Sequence, residues 1–441
     1  MIGQSTLLVA ALAAAPQPVA QPSPAAFEVI QAFRRIAAQP LWPEFRPGTT
    51  PVEFFDGTTT YFFNLATPPE GFRPVGGQQD VYESVGQHPS VRANTGTLVN
   101  GIPTATADLS KNASSPDALA ALLLHETFHV FEAKRYPHWS ANEAALFTYP
   151  VANAEPLALR RLESAALVRA LEARSQREVA CWARTAMGIR SKRFDVLPAA
   201  AVAYERGTEL YEGLAQYVQY KSIGKPAALA AEDFPAGQAP VRQRAYASGQ
   251  ALGLLLDRLD PRWKFRLGGD PPVSLDALLT TRLKGTAARP CDFTAEERLV
   301  AGTRSQQDVA DFVAGLRRQK QEFSAVPGTR LEVLAGKEPL WPQAFDPWNV
   351  VVLDGMEVLH TRLLKLGNAS GAIEILGRAS LTEAAGEHPL FNGVRRMVVT
   401  GVVDPHVVEA GGKVTLDAEG IHGSFAGAVE RLPDVVRIRL P

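Results

Sequence analysis

Ser115-Pro-Asp-Ala-Leu-Ala-Ala-Leu-Leu-Leu-His-Glu-Thr-Phe-His-Val-Phe-Glu-Ala-Lys-Arg135 is the stretch on which the reading of this chain turns. Ser115 supplies an N-cap hydroxyl, Pro116 a first-turn residue with pre-set φ, and Asp117 a negative charge at the positive end of the helix. The helix is expected to run to about Arg135, because Pro137 cannot continue it. His125 and His129 are four positions apart, so their imidazoles leave one face of this helix one turn apart and reach one metal ion. Glu126 stands where a carboxylate addresses a water held by such an ion, as a general base. Leu122, Leu123 and Leu124 before the pattern, and Val130 and Phe131 after it, predict a buried helix.

The texture differs on either side. Upstream, Val52–Phe55 and Thr59–Asn64 flank Asp56-Gly57, and Thr95–Val99 and Ile102–Ala107 flank Asn100-Gly101. An Asp-Gly or Asn-Gly pair between β-type runs marks a hairpin, so residues 45–109 read as sheet and loop behind a short helix at 27–36. Downstream, helices are expected over 154–188 (one or two), 200–222, 241–259 and about 305–322. After Val326, runs at 349–353, 357–366, 373–376, 394–400, 413–416 and 435–440 read as strands of a sandwich. The class is α+β: a small sheet with a helical bundle over 26–325, then an all-β module over 326–441.

Composition narrows the partners. The 441 residues carry 45 basic and 46 acidic side chains, a formal net charge of −1. No basic field exists to hold nucleic acid, and no apolar run after the N-terminus is long enough to span a membrane. Leu7–Ala15 suits the apolar core of an export signal, with Ala11-Leu12-Ala13 as a small-residue cleavage site and a Pro-rich linker to about residue 25. The expected location is therefore periplasmic or secreted. Two cysteines, Cys181 and Cys291, exclude a disulfide-rich scaffold and leave one bridge open.

A third ligand is required, since Arg135 stands where a longer histidine motif needs its third histidine. Glu212, within Gly207-Thr-Glu-Leu-Tyr-Glu-Gly-Leu-Ala-Gln216, is the best carboxylate: its helix face also carries Leu210, Leu214, Ala215 and Val218, and a carboxylate there needs a partner. Glu209, one turn earlier, is placed to orient a ligand histidine. Tyr246, in Tyr246-Ala-Ser-Gly249, is placed to donate to a developing oxyanion.

In this order, His125-Glu126-x-x-His129, Glu212-Gly213-Leu214-Ala215 and Tyr246-x-x-Gly249 resemble the gluzincin zinc metallopeptidases. The likeness is strongest to the zinc aminopeptidase and leukotriene hydrolase branch and covers residues 95–260. It implies a zincin-like catalytic part and a Zn2+ ion held by His125, His129 and Glu212. It also implies Glu126 as base on a zinc-bound water, Tyr246 as oxyanion donor and a peptide or protein as substrate. Positions 130–211 form a longer insertion than in those families, and no Gly-x-Met-Glu-Asn motif precedes the zinc helix, so the resemblance does not extend to exopeptidase specificity. In zincins an extended substrate pairs with the edge of the small sheet, and Thr104–Asp108 is the strand expected to serve. The alternative is a non-catalytic zincin-like binding protein working through its β module; an intact Glu126 favours the enzyme.

Overall fold

The computed structural model describes residues 24–112, 114–230, 234–269, 272–346, 349–353 and 356–441. The export signal and nearly all of the linker read from residues 1–25 thus lie outside the described residues. The fold is α+β, with a C-terminal all-β region, as expected. Two compact units divide it: the described residues up to Trp139 with Ala215–Pro226, and Ser140–Leu214 with Ala227–Pro441.

The first unit opens with α1 (Pro24–Ala37). Six strands follow: β1 (Val52–Phe55), β2 (Thr59–Phe63), β3 (Arg73–Pro74), β4 (Val81–Val85), β5 (Thr95–Val99) and β6 (Ile102–Asp108), ordered β3-β4-β2-β1-β6-β5. All neighbours are antiparallel except β1 and β6. Both predicted hairpins form. The Asp56 carboxylate accepts from the backbone N–H groups of Thr58 and Thr59 at 2.9 and 2.8 Å. In the second turn Asn100 and Gly101 both have positive φ, 49° and 79°, the pairing a two-residue hairpin needs to match strand twist. Helix α2 (Pro116–Arg135) begins as predicted, the Ser115 hydroxyl accepting from Ala118 N–H, and buries Leu123, Leu124 and Phe128 completely.

The second unit carries α3 (Ala144–Phe147), α4 (Ala154–Glu172), α5 (Gln176–Asp195), most of α6 (Ala199–Ser222), α7 (Gln238–Leu259), α8 (Leu275–Lys284) and α9 (Ala295–Ala325). The stretch 154–188 is two helices, because Ser175 and Glu178 form a reciprocal capping box that starts α5. The helix expected at 305–322 is 31 residues long and starts ten residues earlier, at a second capping box, Thr294 with Glu297. Few of its residues are buried, so its apolar period is faint while its cap is plain. Cys181 and Cys291 are disulfide-bonded, tying α5 to the segment after α8.

The β region consists of β7 (Thr329–Leu334), β8 (Trp341–Phe345), β9 (Val350–Val352), β10 (Glu357–His360), β11 (Leu363–Asn368), β12 (Gly371–Leu376), β13 (Ser380–Ala384), β14 (Val394–Val402), β15 (His406–Ala410), β16 (Lys413–Ala418), β17 (Ile421–Ala426), β18 (Ala428–Leu432) and β19 (Val435–Arg439). Sheets of seven (β18-β19-β7-β14-β13-β10-β9) and six strands (β15-β16-β17-β12-β11-β8) share one core, which includes Leu331, Val333, Val399, Leu366, Ile373 and Phe425. The run 357–366 read as one strand is two, in different sheets.

His360 lies inside this region, 1% exposed, with Nε2 bonded to Thr382 at 3.1 Å and, among the described residues, no partner at Nδ1. Burial pushes its imidazole down to about 4. Its unfolded value is near 6.5, so between these two pH values the unfolded chain binds the extra proton. Its contribution is complete above pH 6.5 and is lost as pH falls toward 4, amounting to about 3 kcal/mol. Urea unfolding of wild type and His360→Gln at pH 7.5 and 4.5 should show the wild type losing that much more across the window; equal losses would refute the assignment.

Candidate metal centre

Helix α2 turns His125 and His129 to one side, 6% and 5% exposed, with Glu126 beside them at 4%. Each imidazole is held through Nδ1: His125 by Gln219 Oε1 at 3.0 Å, and His129 by Glu132 Oε2 at 2.8 Å. An amide oxygen and a carboxylate both accept, so Nδ1 carries the proton and the Nε2 lone pair is left to bind. The two Nε2 atoms lie 3.0 Å apart. Two nitrogens on a tetrahedral zinc are about 3.3 Å apart, given Zn–N bonds near 2.0–2.1 Å. A Glu212 oxygen completes the group, all three ligand atoms falling within 4.8 Å of one another. Two neutral imidazoles and a carboxylate, with hydrogen-bonded rings, fit a divalent metal.

Glu212 and Tyr246 come together because α6 and α7 cross with almost no side chain between them. A Cβ on Gly213 would meet Gly249 Cα at 2.7 Å, and one on Gly249 would meet the Glu209 carbonyl oxygen at 2.5 Å. The glycines of both sequence motifs are therefore the crossing point itself. Arg242, one turn before Tyr246, was not singled out from the sequence. Its guanidinium donates to Glu212 at 2.9 Å and to the Tyr246 oxygen at 3.1 Å, and it pairs with Glu143. The i, i+4 spacing of Arg242 and Tyr246 was the available signal. Burial, then the Glu212 carboxylate, push the Tyr246 phenol well above its ordinary value, so it is held as a donor.

Two sequence expectations are corrected. Glu209 does not orient a histidine: its carboxylate is taken bidentately by Arg190 at 2.6 and 2.7 Å and also accepts from Ser248. It belongs to a buried network in which Glu163 accepts from Arg190, Arg193 and Arg244 at 2.9, 2.8 and 2.7 Å, and Glu205 pairs with Arg193. Glu132 and Gln219 do the orienting instead. The strand Thr104–Asp108 is likewise not an edge, because β6 is paired on both sides, by β1 and β5. The edge is β5, and it lies directly on the histidine helix: a Cβ on Gly96 would meet Val130 Cγ2 at 3.1 Å and its backbone N at 3.2 Å.

Comparison of the chain with protein-family models, with curated proteins and with solved structures gives no match. Among the described residues no helix is long and apolar enough to cross a membrane.

Proposed function

We propose that this chain is a zinc-dependent metallopeptidase of the gluzincin type. The observation that carries the reading is the convergence of His125, His129 and Glu212, each offering a ligand atom to one point on a buried helix that also bears Glu126. A zinc ion there supplies Lewis acidity and lowers the pKa of water to about 7. Glu126 takes a proton from the attacking water and returns it to the leaving amine. Tyr246 donates to the oxygen on which negative charge develops, and Arg242 holds the Tyr246 hydroxyl and the Glu212 carboxylate in register. An extended peptide pairs through its backbone with the free edge of β5, where Gly96 brings that edge close to His129 and Val130. A disulfide between Cys181 and Cys291 suits the oxidising compartment that an export signal implies.

Metal content tests the centre. Purified wild type should carry about one zinc per chain. Glu212→Ala should bind it at least ~100-fold more weakly, since a ligand outranks the outer contacts whose loss costs 10- to 100-fold. Glu205→Ala is not a neutral control, because Glu205 pairs with Arg193 at 2.8 Å in the buried network. Wild type that takes up no metal from a zinc-supplemented buffer would sink the reading.

A further inference from the structure

The second unit contains a cavity of about 670 Å³ walled by Arg177, Arg258 and Arg282, with Gln176 and Thr286 and without a carboxylate. The three guanidiniums come from three helices: Arg177 from the first turn of α5, Arg258 from the last turn of α7, and Arg282 from the last turn of α8. None has an acidic partner among the described residues. Arg258 donates only to the carbonyls of Ala170, Leu171 and Ala173, at the end of α4, and Arg282 through Nε to that of Leu259, at the end of α7. Arg177, together with the terminal amino groups of Arg282, makes no hydrogen bond or ion pair among the described residues.

We propose that this cavity binds a small polyanion bearing phosphate or sulfate groups. Guanidinium donors left without acceptors around one concavity match tetrahedral oxyanions, which they bind bidentately. Glu178, the nearest acid on α5, is turned to its own cap, bonded to Ser175 N–H and hydroxyl at 3.3 and 3.0 Å. The opposite wall is pinned. Thr286 is held by Arg184, at 2.8 Å through its carbonyl, and Cys291, five residues on, is disulfide-bonded to Cys181. The cavity is thus built before any ligand arrives, and the volume is in the range of small-molecule sites.

The test is calorimetric titration of the full chain, stripped of metal with a chelator, using inorganic pyrophosphate, inorganic sulfate and citrate at low and high salt. Stripping keeps the histidine centre out of the measurement. Arg177→Glu is the informative variant, because Arg177 makes no hydrogen bond or ion pair among the described residues that the change would break. Pyrophosphate or sulfate should bind saturably and more tightly than citrate. Binding should weaken with salt and fall about tenfold or more in Arg177→Glu at an unchanged melting temperature. Absence of binding at millimolar ligand, equal binding by Arg177→Glu, or citrate binding as tightly as pyrophosphate would each overturn the proposal.

Discussion

Glu126→Gln is expected to keep the metal and the fold while losing ~10² to 10⁴ in kcat on peptides, the usual worth of a positioned general base. Glu126 is absent from the group of converging ligand atoms, so metal content should not follow its charge. The amide is close in volume and keeps the buried α2 packing, while the proton acceptor is gone. Tyr246→Phe should cost ~10² to 10³ in kcat, and the double variant less than the product, because both groups act on one transition state. The experiment is cleavage of a broad peptide library by wild type and variants, with metal measured in each. A wild type that cleaves nothing favours the binding-protein alternative. A fully active, metal-loaded Glu126→Gln would refute the mechanism whatever the fold.

Glu163→Gln is expected to cost about 3–5 kcal/mol in stability, a large effect for a single change away from the metal centre. Glu163 is fully buried on α4 and accepts from three guanidiniums that are themselves fully buried, Arg190, Arg193 and Arg244. With Glu205 and Glu209, three carboxylates balance three arginines. Burial by itself would raise the Glu163 carboxyl, but Arg190, Arg193 and Arg244 hold it below its ordinary range. Neutralising it leaves a cation uncompensated in the interior, and the amide can accept fewer of the three bonds. Because Glu209 shares Arg190, the disturbance reaches α6 one turn from Glu212. Urea unfolding should show the loss, with Glu163→Asp falling between wild type and Gln. A loss under 1 kcal/mol in Glu163→Gln would mean the network is not the keystone of the helical part.

Local chemistry was legible in the sequence. The cap at Ser115, the turns at Asp56-Gly57 and Asn100-Gly101, and the two histidines on one helix face each depend on residues a few positions apart. So does the change from helical to β texture after Val326. Their conformations follow from φ preferences and side-chain period, which sequence displays directly. That Glu212 needs a partner was legible for a related reason: an acid on an otherwise apolar helix face must be paired, and the structure pairs it with Arg242.

What tertiary structure decided was which partner each charged group takes. Glu205, Glu209 and Glu212 share one stripe of α6 and look alike in the sequence. Packing sends the first two to Arg193 and Arg190 on α5 and the third to Arg242 on α7, and nothing local to α6 encodes that choice. The same holds for β5 against β6: both belong to one hairpin, and only the long-range pairing of β6 with β1, some fifty residues away in sequence, makes β5 the edge beside the histidine helix. Contacts of that separation are set by the collective packing of helices and sheets, in which each residue's environment depends on all the others.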